Sequence, residues 1–206
     1  VVALLARGDV LIDFTTPAAT LEHLRAAAER GIAAIVGTTG FSEADEAAIA
    51  AHATAIPIVK ASNFSLGVAL VAALVEEAAR RLGDDFDIEI AEIHHRHKVD
   101  APSGTALMLG AAAARGRGVP LRDRSVRVRD GITGPRRAGD IGFSVRRGGG
   151  VIGDHEVSFV SSEEMITLSH RALDRGLFAK GAVAAALWAH GRKPGLYSVR
   201  DVLGLA

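Results

Sequence analysis

The feature that most constrains the fold lies in the first 65 residues, where short apolar runs alternate with amphipathic segments. Residues 10–14, 32–36 and 56–59 are rich in Val, Ile and Leu and have the length of buried strands. Residues 17–30 and 42–53 carry apolar side chains at helical spacing between those strands. Strands that alternate with helices pair in parallel, because each helix returns the chain to the edge where the previous strand began. The segment therefore predicts βαβ units and an α/β fold.

Residues that start and stop helices agree with these boundaries. Thr16 and Pro17 supply an N-cap and a first-turn proline, and Gly31 follows as a helix stop. Ser42, with Asp45 three residues later, has the pattern of a capping box. Both helices are therefore predicted from local signals as well as from apolar spacing.

A third helix is predicted over residues 66–82, and beyond it the pattern changes. Its shared apolar face comprises Leu66, Ala69, Leu70, Ala73 and Leu74. After Gly83, apolar and polar residues alternate with period two, which is typical of half-exposed strands. Such strands are predicted at residues 87–93, 126–129, 155–159 and 164–169, with a short one at 141–146 in a loop rich in Gly and Arg. We expect a mixed or antiparallel sheet packed against a helix at 104–115, followed by a last helix at 177–190.

Composition excludes several classes of function. The 206 residues carry 24 basic and 24 acidic side chains and no cysteine. A chain with zero net charge does not present the broad basic surface that non-specific nucleic-acid binding needs. No apolar run approaches the roughly 18 residues of a membrane span. The absence of cysteine removes disulfides and thiolate chemistry and suits a reducing compartment. We expect a cytoplasmic protein without nucleic-acid or membrane partners.

Small and polar residues follow each of the three predicted parallel strands. The loops are Phe-Thr-Thr at 14–16, Gly-Thr-Thr-Gly at 37–40 and Ala-Ser-Asn-Phe at 61–64. Because the carboxyl ends of parallel strands meet at one edge of a sheet, these loops should face one ligand crevice. Small residues let a ligand approach the backbone, hydroxyls bond phosphate or amide groups, and phenylalanine can cover a flat ring. The alternative, that these residues serve only as helix caps, stays open.

The densest group of candidate functional residues lies at 92–106, which reads Glu-Ile-His-His-Arg-His-Lys-Val-Asp-Ala-Pro-Ser-Gly-Thr-Ala. Ser103 is placed as an N-cap, so the amides of Gly104 and Thr105 form the positive end of a helix. Lys98 adds a full positive charge, and a neighbouring histidine can donate a proton near neutral pH. The segment predicts an anionic ligand, with a solvated basic turn as the alternative.

A metal site is the weaker interpretation of this segment. His95 and His97 would share a face of an extended strand, as two ligands would. No third ligand follows at a fixed spacing, and Lys98 would repel a divalent ion, so we expect no metal. Other histidines are expected to be ordinary surface or core residues: His23, His52, His155, His170 and His190. The pairs Arg136-Arg137 and Arg146-Arg147 are expected on a solvated face.

Residues 92–106 closely resemble the signature of the 4-hydroxy-tetrahydrodipicolinate reductase family, the NAD(P)H-dependent enzymes of bacterial lysine and diaminopimelate synthesis. The likeness extends over nearly the whole chain, through residues 13–15, 37–40, 63–65, 153–155, 178–182 and 196–203. It implies a Rossmann-like parallel sheet in a dinucleotide-binding domain split between residues 1–65 and 176–206. Residues 66–175 would form an inserted α+β domain, with a mixed or antiparallel sheet, for substrate binding and assembly into a homotetramer.

The resemblance also implies roles for individual residues. His94 would be the general acid, and Lys98 a second proton donor that also holds a carboxylate. The substrate, the cyclic dicarboxylate (4S)-4-hydroxy-tetrahydrodipicolinate, would be held by His95, Ser103, Gly104 and Thr105 and reduced to tetrahydrodipicolinate. The cofactor, NADPH or NADH, would be bound by Phe14, Thr15, Gly37, Thr38, Thr39, Ala61, Ser62, Asn63, Phe64, Arg175 and Phe178.

The sequence departs from the family pattern at its start. No glycine-rich loop of the form G-x-G-x-x-G precedes Val10, and the chain opens on Val1. We therefore expect an amino-terminally shortened Rossmann sheet with exposed apolar edges, in which the residues that select NADH or NADPH are lacking. Two other functions remain open: a catalytically silent dicarboxylate-binding or assembly module of the same fold, and a histidine–metal hydrolase.

Overall fold

A computed structural model of the protein describes residues 8–205. The chain divides into two compact units. The first takes in the described residues up to Ala69 and those from Gly176 onward, and the second spans Leu70–Arg175. The first unit contains a parallel sheet and the second a mixed sheet, so the predicted α/β class with two kinds of sheet is confirmed.

The first unit is a four-stranded parallel sheet covered by helices. Its elements are β1 (Val10–Asp13), α1 (Pro17–Ala28), β2 (Ala33–Val36), α2 (Glu43–His52), β3 (Pro57–Lys60), the first residues of α3 (Leu66–Leu82), α6 (Gly176–Ala189), β9 (Gly195–Tyr197) and α7 (Val199–Val202). The strand order is β1-β2-β3-β9. In β2, Ala34 and Val36 pack towards Leu24 of α1 and Ile49 of α2, whereas Ile35 packs towards α6. Alternation along a buried strand thus supplies both layers of the core.

Local signals fix the start of both helices as predicted, although Thr16 caps α1 without a side-chain hydrogen bond and α1 ends at Ala28, two residues before the predicted end. The Ser42 hydroxyl accepts from the Asp45 N–H at 3.2 Å, and the Asp45 carboxylate accepts from the Ser42 N–H at 2.9 Å, which completes the capping box. Gly31 has a φ of 66°, the left-handed conformation that ends a helix at little cost only for glycine. These boundaries set where the loops after β1 and β2 begin.

The edge of the parallel sheet carries exposed apolar side chains. Among the described residues, β1 is the outer strand, and its Ile12 is 44% exposed. Val183 and Leu187 on α6 are also exposed, and they line a groove with Ile12. The exposed apolar edge expected from the sequence is therefore present.

The second unit is a five-stranded mixed sheet with helices on one face. Its elements are the remainder of α3, a 3₁₀ turn (Gly83–Asp85), β4 (Asp87–His94), α4 (Gly104–Gly116), α5 (Leu121–Arg124), β5 (Ser125–Val126), β6 (Ile141–Arg147), β7 (Asp154–Val160) and β8 (Met165–Arg171). The strand order is β5-β6-β4-β7-β8, with β4 parallel to β6 and antiparallel to β7. The central strand is thus β4, paired on both sides.

Burial along β4 alternates without a break. Ile88 and Ile90 are buried in the core with Leu109 of α4, and Glu92 and His94 continue the same buried face. Register places polar partners beside them: His155 of β7 is opposite Glu92, and Arg147 of β6 is opposite His94. The end of the core face is therefore a buried polar cluster.

The predicted strand at residues 126–129 is wrong, because only Ser125–Val126 pair with β6. The apolar side of the alternation is not buried, since Val128 is 79% exposed. Arg129 instead reaches the Glu89 carboxylate with two hydrogen bonds of 2.8 Å, and Arg136 binds Glu89 at 3.0 Å. Side-chain ion pairs, rather than a strand ladder, hold this segment, so Arg136 is not a simply solvated arginine.

The predicted apolar face of α3 is also partly wrong. Leu70 and Leu74 are 44% and 46% exposed. The face buried in the second unit includes Ala72, Val75 and Ala79. Residues three and four apart recur in both sets, so spacing alone does not choose between them. Among the described residues, no helix is long and apolar enough to cross a membrane.

Candidate active site

The predicted site residues fall into two groups, one in each unit. The first unit holds the loops after β1, β2 and β3, together with Phe178 of α6, which is half-buried. The second unit holds His94, Lys98 and the start of α4; Arg175, its last residue, is exposed.

Direct contacts join the three loops of the first unit. The Phe14 ring lies over Gly37, where a Cβ would come within 2.1 Å of a ring carbon, so a side chain there would displace the Phe14 ring. The same ring contacts Phe64 with centroids 5.5 Å apart. The Thr15 N–H donates to the Thr38 hydroxyl at 2.9 Å. The predicted meeting of the three strand ends is therefore observed.

A buried carboxylate that sequence reasoning did not single out organises these loops. Asp13, the last residue of β1, accepts from the Thr15 N–H at 3.0 Å and the Thr15 hydroxyl at 2.6 Å, and lies 2.6 Å from His23 Nδ1. The hydroxyls of Thr20 and Thr38 also donate to it at 3.3 Å. Burial alone would raise the pKa of Asp13, but the Thr15 and His23 contacts bring it below its usual value. His23 thus belongs to this network and is not an isolated surface histidine.

The other loop residues leave room for a ligand. The Phe14 side chain is half-exposed, and Thr39 and Ser62 are exposed. Gly37 and Asn63 are partly buried. An exposed aromatic ring beside glycine and hydroxyl groups suits a flat ring and an amide or phosphate. The set fits a dinucleotide at the carboxyl edge of a parallel sheet.

In the second unit, His94 is a buried imidazole with its two nitrogens in different surroundings. Its Nδ1 lies 2.5 Å from the Glu92 carboxylate. Its Nε2 lies beside Gly153, where a Cβ would come within 2.8 Å of it. Because the residue there is glycine, no side chain of residue 153 takes the space beside Nε2. His94 therefore has one nitrogen against the Glu92 carboxylate and the other beside the space that Gly153 leaves.

Glu92 is 1% exposed, and it contacts other residues besides His94. Its Oε1 accepts from the Ser103 N–H at 2.8 Å and lies 3.5 Å from Arg147 Nη2. Burial alone would raise the pKa of Glu92, but the Ser103 hydrogen bonds and the charges of His94 and Arg147 bring it below the usual value. Arg147, expected on a solvated face, is thus part of the cluster.

Charges around His94 compete. Burial lowers the pKa of His94 below its usual value, Glu92 opposes that shift, and Lys98 and Arg147 reinforce it. Lys98 Nζ binds the half-exposed Asp100 carboxylate at 2.8 Å. An exposed pair of this kind is worth at most about 1 kcal/mol, so Lys98 can exchange Asp100 for another anion.

His155 belongs to the same cluster, contrary to the expectation of an ordinary histidine. Its Nε2 lies 3.1 Å from the Ser103 hydroxyl, and its ring meets His94 edge to face with centroids 5.0 Å apart. Burial, reinforced by the nearby His94, lowers the pKa of His155 to about 4. His155 is therefore a neutral ring at pH 7. Its position in the motif at residues 153–155 is the sequence signal that pointed here.

The start of α4 is formed as predicted. The Ser103 hydroxyl accepts from the Ala106 N–H at 3.1 Å, which makes Ser103 the N-cap. Gly104 is exposed and Thr105 is half-buried. His95 is also half-buried, and its ring lies 6.3 Å from that of the exposed His97. Helix amides and basic side chains thus come together in one unit, as an anion site requires.

Atoms of metal-binding type come within 4.8 Å of one another at Glu92, His94 and His155. Two ligands of one zinc ion would lie about 3.3 Å apart, given bonds of about 2.0–2.1 Å in a tetrahedral arrangement. The separation of 2.5 Å between Glu92 Oε2 and His94 Nδ1 is shorter than that, so these two atoms are not spaced as ligands of one ion. We therefore identify no metal ligands in the cluster.

Comparison with known proteins gives consistent matches. The family model described as "Dihydrodipicolinate reductase, N-terminus" matches residues 1–64, and that described as "Dihydrodipicolinate reductase, C-terminus" matches residues 67–203. The chain is 60% identical over 202 residues to 4-hydroxy-tetrahydrodipicolinate reductase 1 of Mesorhizobium japonicum, covering 98% of this chain and 74% of that one. It is 62% identical over 200 residues to 4-hydroxy-tetrahydrodipicolinate reductase of a Chelativorans species, covering 97% and 72%.

A solved structure has a similar fold. It is described as the dipicolinate-bound dihydrodipicolinate reductase from Paenisporosarcina sp. TG-14, with a TM-score of 0.79 and 25% sequence identity. The match covers 97% of this chain and 76% of that one. Both sheets of the chain thus occur together in a known protein.

The low pKa of His155 predicts a pH dependence of stability. The unfolded chain protonates this ring near its ordinary value of 6.5, whereas the folded protein protonates it near 4. Between these values the unfolded state binds more protons, so the free energy of unfolding falls as pH drops from about 6.5 towards 4. Urea unfolding of the wild type and of His155→Gln measures this contribution. Equal slopes against pH in the two proteins would contradict the assignment.

Proposed function

The chain belongs to the dihydrodipicolinate reductase family, as the resemblance of residues 92–106 predicted, and we propose that it reduces 4-hydroxy-tetrahydrodipicolinate to tetrahydrodipicolinate with NADH or NADPH in lysine and diaminopimelate synthesis. The observation that carries the proposal is the state of His94, buried against Glu92 at Nδ1 and open beside Gly153 at Nε2. An imidazole held in this way beside a helix N-terminus can donate a proton to a bound anion.

The substrate is a cyclic dicarboxylate, and the second unit carries groups that bind carboxylates. The amides of Gly104 and Thr105 at the start of α4, with His95, hold one carboxylate. Lys98 exchanges Asp100 for another carboxylate. The similar solved structure is described as dipicolinate-bound, and dipicolinate is a planar cyclic dicarboxylate, which supports this substrate class.

His94 donates a proton from Nε2. The substrate loses water to a conjugated imine, and reduction at C4 builds electron density at the far end of the conjugated system. A proton delivered there lowers the barrier, typically by about 10²–10⁴-fold for general acid catalysis. Lys98 acts as a second donor and neutralises charge on the substrate. The two negative charges of the bound substrate offset Lys98 and Arg147 and thereby favour the protonated form of His94.

The first unit binds the nicotinamide cofactor, which supplies a hydride when bound. Phe14 offers a half-exposed ring for the nicotinamide, and Gly37 has no side chain between that ring and the backbone of the second loop. Thr15 and Thr38 are fixed by Asp13, so the loops need little ordering when the cofactor binds. The other residues assigned to the cofactor are Thr39, Ala61, Ser62, Asn63, Phe64, Arg175 and Phe178. In this proposal residues 1–65 and 176–206 are the dinucleotide domain and residues 66–175 the substrate domain.

Two further properties belong to the proposal. The protein assembles as a homotetramer, a state supported by the exposed apolar side chains Leu70, Leu74, Val145 and Met165 in the second unit. Sedimentation equilibrium should give four times the 21.4 kDa of the chain, and a monomer mass at micromolar concentration would contradict it.

A cytoplasmic location is supported by the absence of cysteine and is checked by cell fractionation.

Calorimetric titration tests the proposed ligands. Pyridine-2,6-dicarboxylate should bind, and NADH or NADPH should bind more tightly when the dicarboxylate is present. Binding of the dicarboxylate without either cofactor would make the chain a catalytically silent dicarboxylate-binding module. A protein that binds none of these ligands would overturn the proposal.

His94→Gln tests the assigned proton donor. We expect kcat to fall by about 10²–10⁴-fold, the usual contribution of a general acid, while the Kd for pyridine-2,6-dicarboxylate changes far less. His97→Gln is the matched control, because His97 lies three residues further along and is exposed. If both variants lost activity equally, or if His94→Gln acted only on affinity, the role of His94 would be wrong.

A further inference from the structure

Glu92 enters the proposal so far only as the neighbour of His94 Nδ1, although it also contacts Ser103 and Arg147. We propose that Glu92 is a positioning residue, which fixes the proton on His94 Nδ1 and ties His94 to the N-terminus of α4. The inference rests on the proposed function, because it takes His94 as the proton donor. It concerns the tautomer and orientation of that donor rather than contact with substrate.

The first step of the argument is the distance between Glu92 and His94. The carboxylate oxygen Oε2 lies 2.5 Å from Nδ1. If Nδ1 carried no proton, two lone pairs would meet at this distance in a buried place, and the contact would be repulsive. A proton on Nδ1 makes the contact attractive by placing positive charge next to the carboxylate, although the two atoms are not aligned as a regular hydrogen bond. Neutral His94 then has its lone pair on Nε2, and protonated His94 has the transferable proton there.

The second step is that Glu92 needs both oxygens. Oε2 faces His94, while Oε1 accepts from the Ser103 N–H at 2.8 Å. A glutamine has one oxygen and one NH₂ group in the same shape. It can accept from Ser103 or from His94 Nδ1, and the other partner then meets an NH₂ group. Glutamine therefore breaks the helix contact or reverses the tautomer of His94.

The third step concerns charge. His94 faces Lys98 from its own loop, Arg147 from β6 and His155 from β7. Asp100 pairs with Lys98, and the Glu92 carboxylate is the acidic group in direct contact with the His94 ring. Removing the charge of Glu92 leaves Lys98 and Arg147 near the His94 ring without an acidic group in direct contact with that ring. Protonation of His94 then requires a lower pH.

These steps predict a specific pattern for Glu92→Gln in the full chain. At pH 7, kcat should fall by about 10–100-fold, part of the contribution of a general acid, while KM stays within about threefold. The difference in kcat between the wild type and Glu92→Gln should become smaller as pH is lowered. The reason is that the variant loses the proton on His94 at a lower pH, so the alkaline limb of its kcat profile moves to lower pH. Glu92→Asp keeps the charge and both acceptors, so it should retain the wild-type pH limb at reduced kcat.

The matched control is Glu89→Gln. Glu89 lies on the same strand, on the opposite face, and binds Arg129 and Arg136 instead of the cluster. The Glu89→Gln substitution removes the same charge without altering any contact of His94, so the alkaline limb of the kcat profile should stay at the wild-type pH. The inference would be overturned if Glu92→Gln lowered kcat equally at all pH values. It would also be overturned if Glu92→Gln moved the alkaline limb of the kcat profile no further than Glu89→Gln does.

A measurement on the wild type covers the case in which Glu92→Gln does not fold. Nitrogen-15 NMR of the His94 ring reports which nitrogen is protonated in the neutral form, with no cofactor or turnover needed. We expect the proton on Nδ1, and a proton on Nε2 would refute the inference. A wild-type chain without reductase activity but with the Nδ1 tautomer would instead count against the proposed function alone.

Discussion

The central strand of the mixed sheet, β4, positions the candidate active site. The side chains on one face of β4 belong first to the apolar core and then, towards the end of the strand, to the site. Ile88 and Ile90 point into the apolar core under α4, and the same period of two brings Glu92 and His94 to that face. The site therefore inherits the rigidity of a strand paired on both sides. A carboxylate and an imidazole buried there cannot relax into solvent, so protein groups must offset the cost of burying them.

Two buried carboxylates play similar parts in the two units. Asp13 ends β1 and gathers donors from Thr15, Thr20 and His23, and Glu92 lies near the end of β4 and gathers Ser103 and His94. In each case burial alone would raise the pKa, and the gathered donors lower it. Each carboxylate thus stays charged while holding the loop that follows its strand.

Local signals predicted much of the fold, and long-range contacts account for what they missed. The capping box at Ser42 and the bounds of α3 depend on neighbouring residues, so the sequence alone predicts them. Pairing of β5 stops at Val126, and the segment beyond it is held by Arg129 reaching Glu89, forty positions away, which no local pattern encodes. The buried face of α3 was likewise decided by what packs on it.

The same distinction applies to the candidate site. His94, Ser103 and Gly104 lie in one short motif, and the structure brings them into one unit as the motif predicted. His155 and Arg147 come from other strands, and only the register of β4 with β6 and β7 puts them beside the motif. Alternation in β4 did place Glu92 on the side of His94, yet its contact with Ser103 depends on tertiary packing.

The uninterrupted alternation of β4 also governs which changes of length the chain can absorb. Losing or gaining a single residue between Ile90 and Glu92 would turn the carboxylate and the imidazole to the opposite face of the sheet while leaving the apolar core side intact. The segment at 127–140 has no such phase to keep, since side-chain ion pairs rather than strand pairing hold it. Insertions and deletions should therefore accumulate in that segment and be absent from β4, even between relatives whose residues there differ.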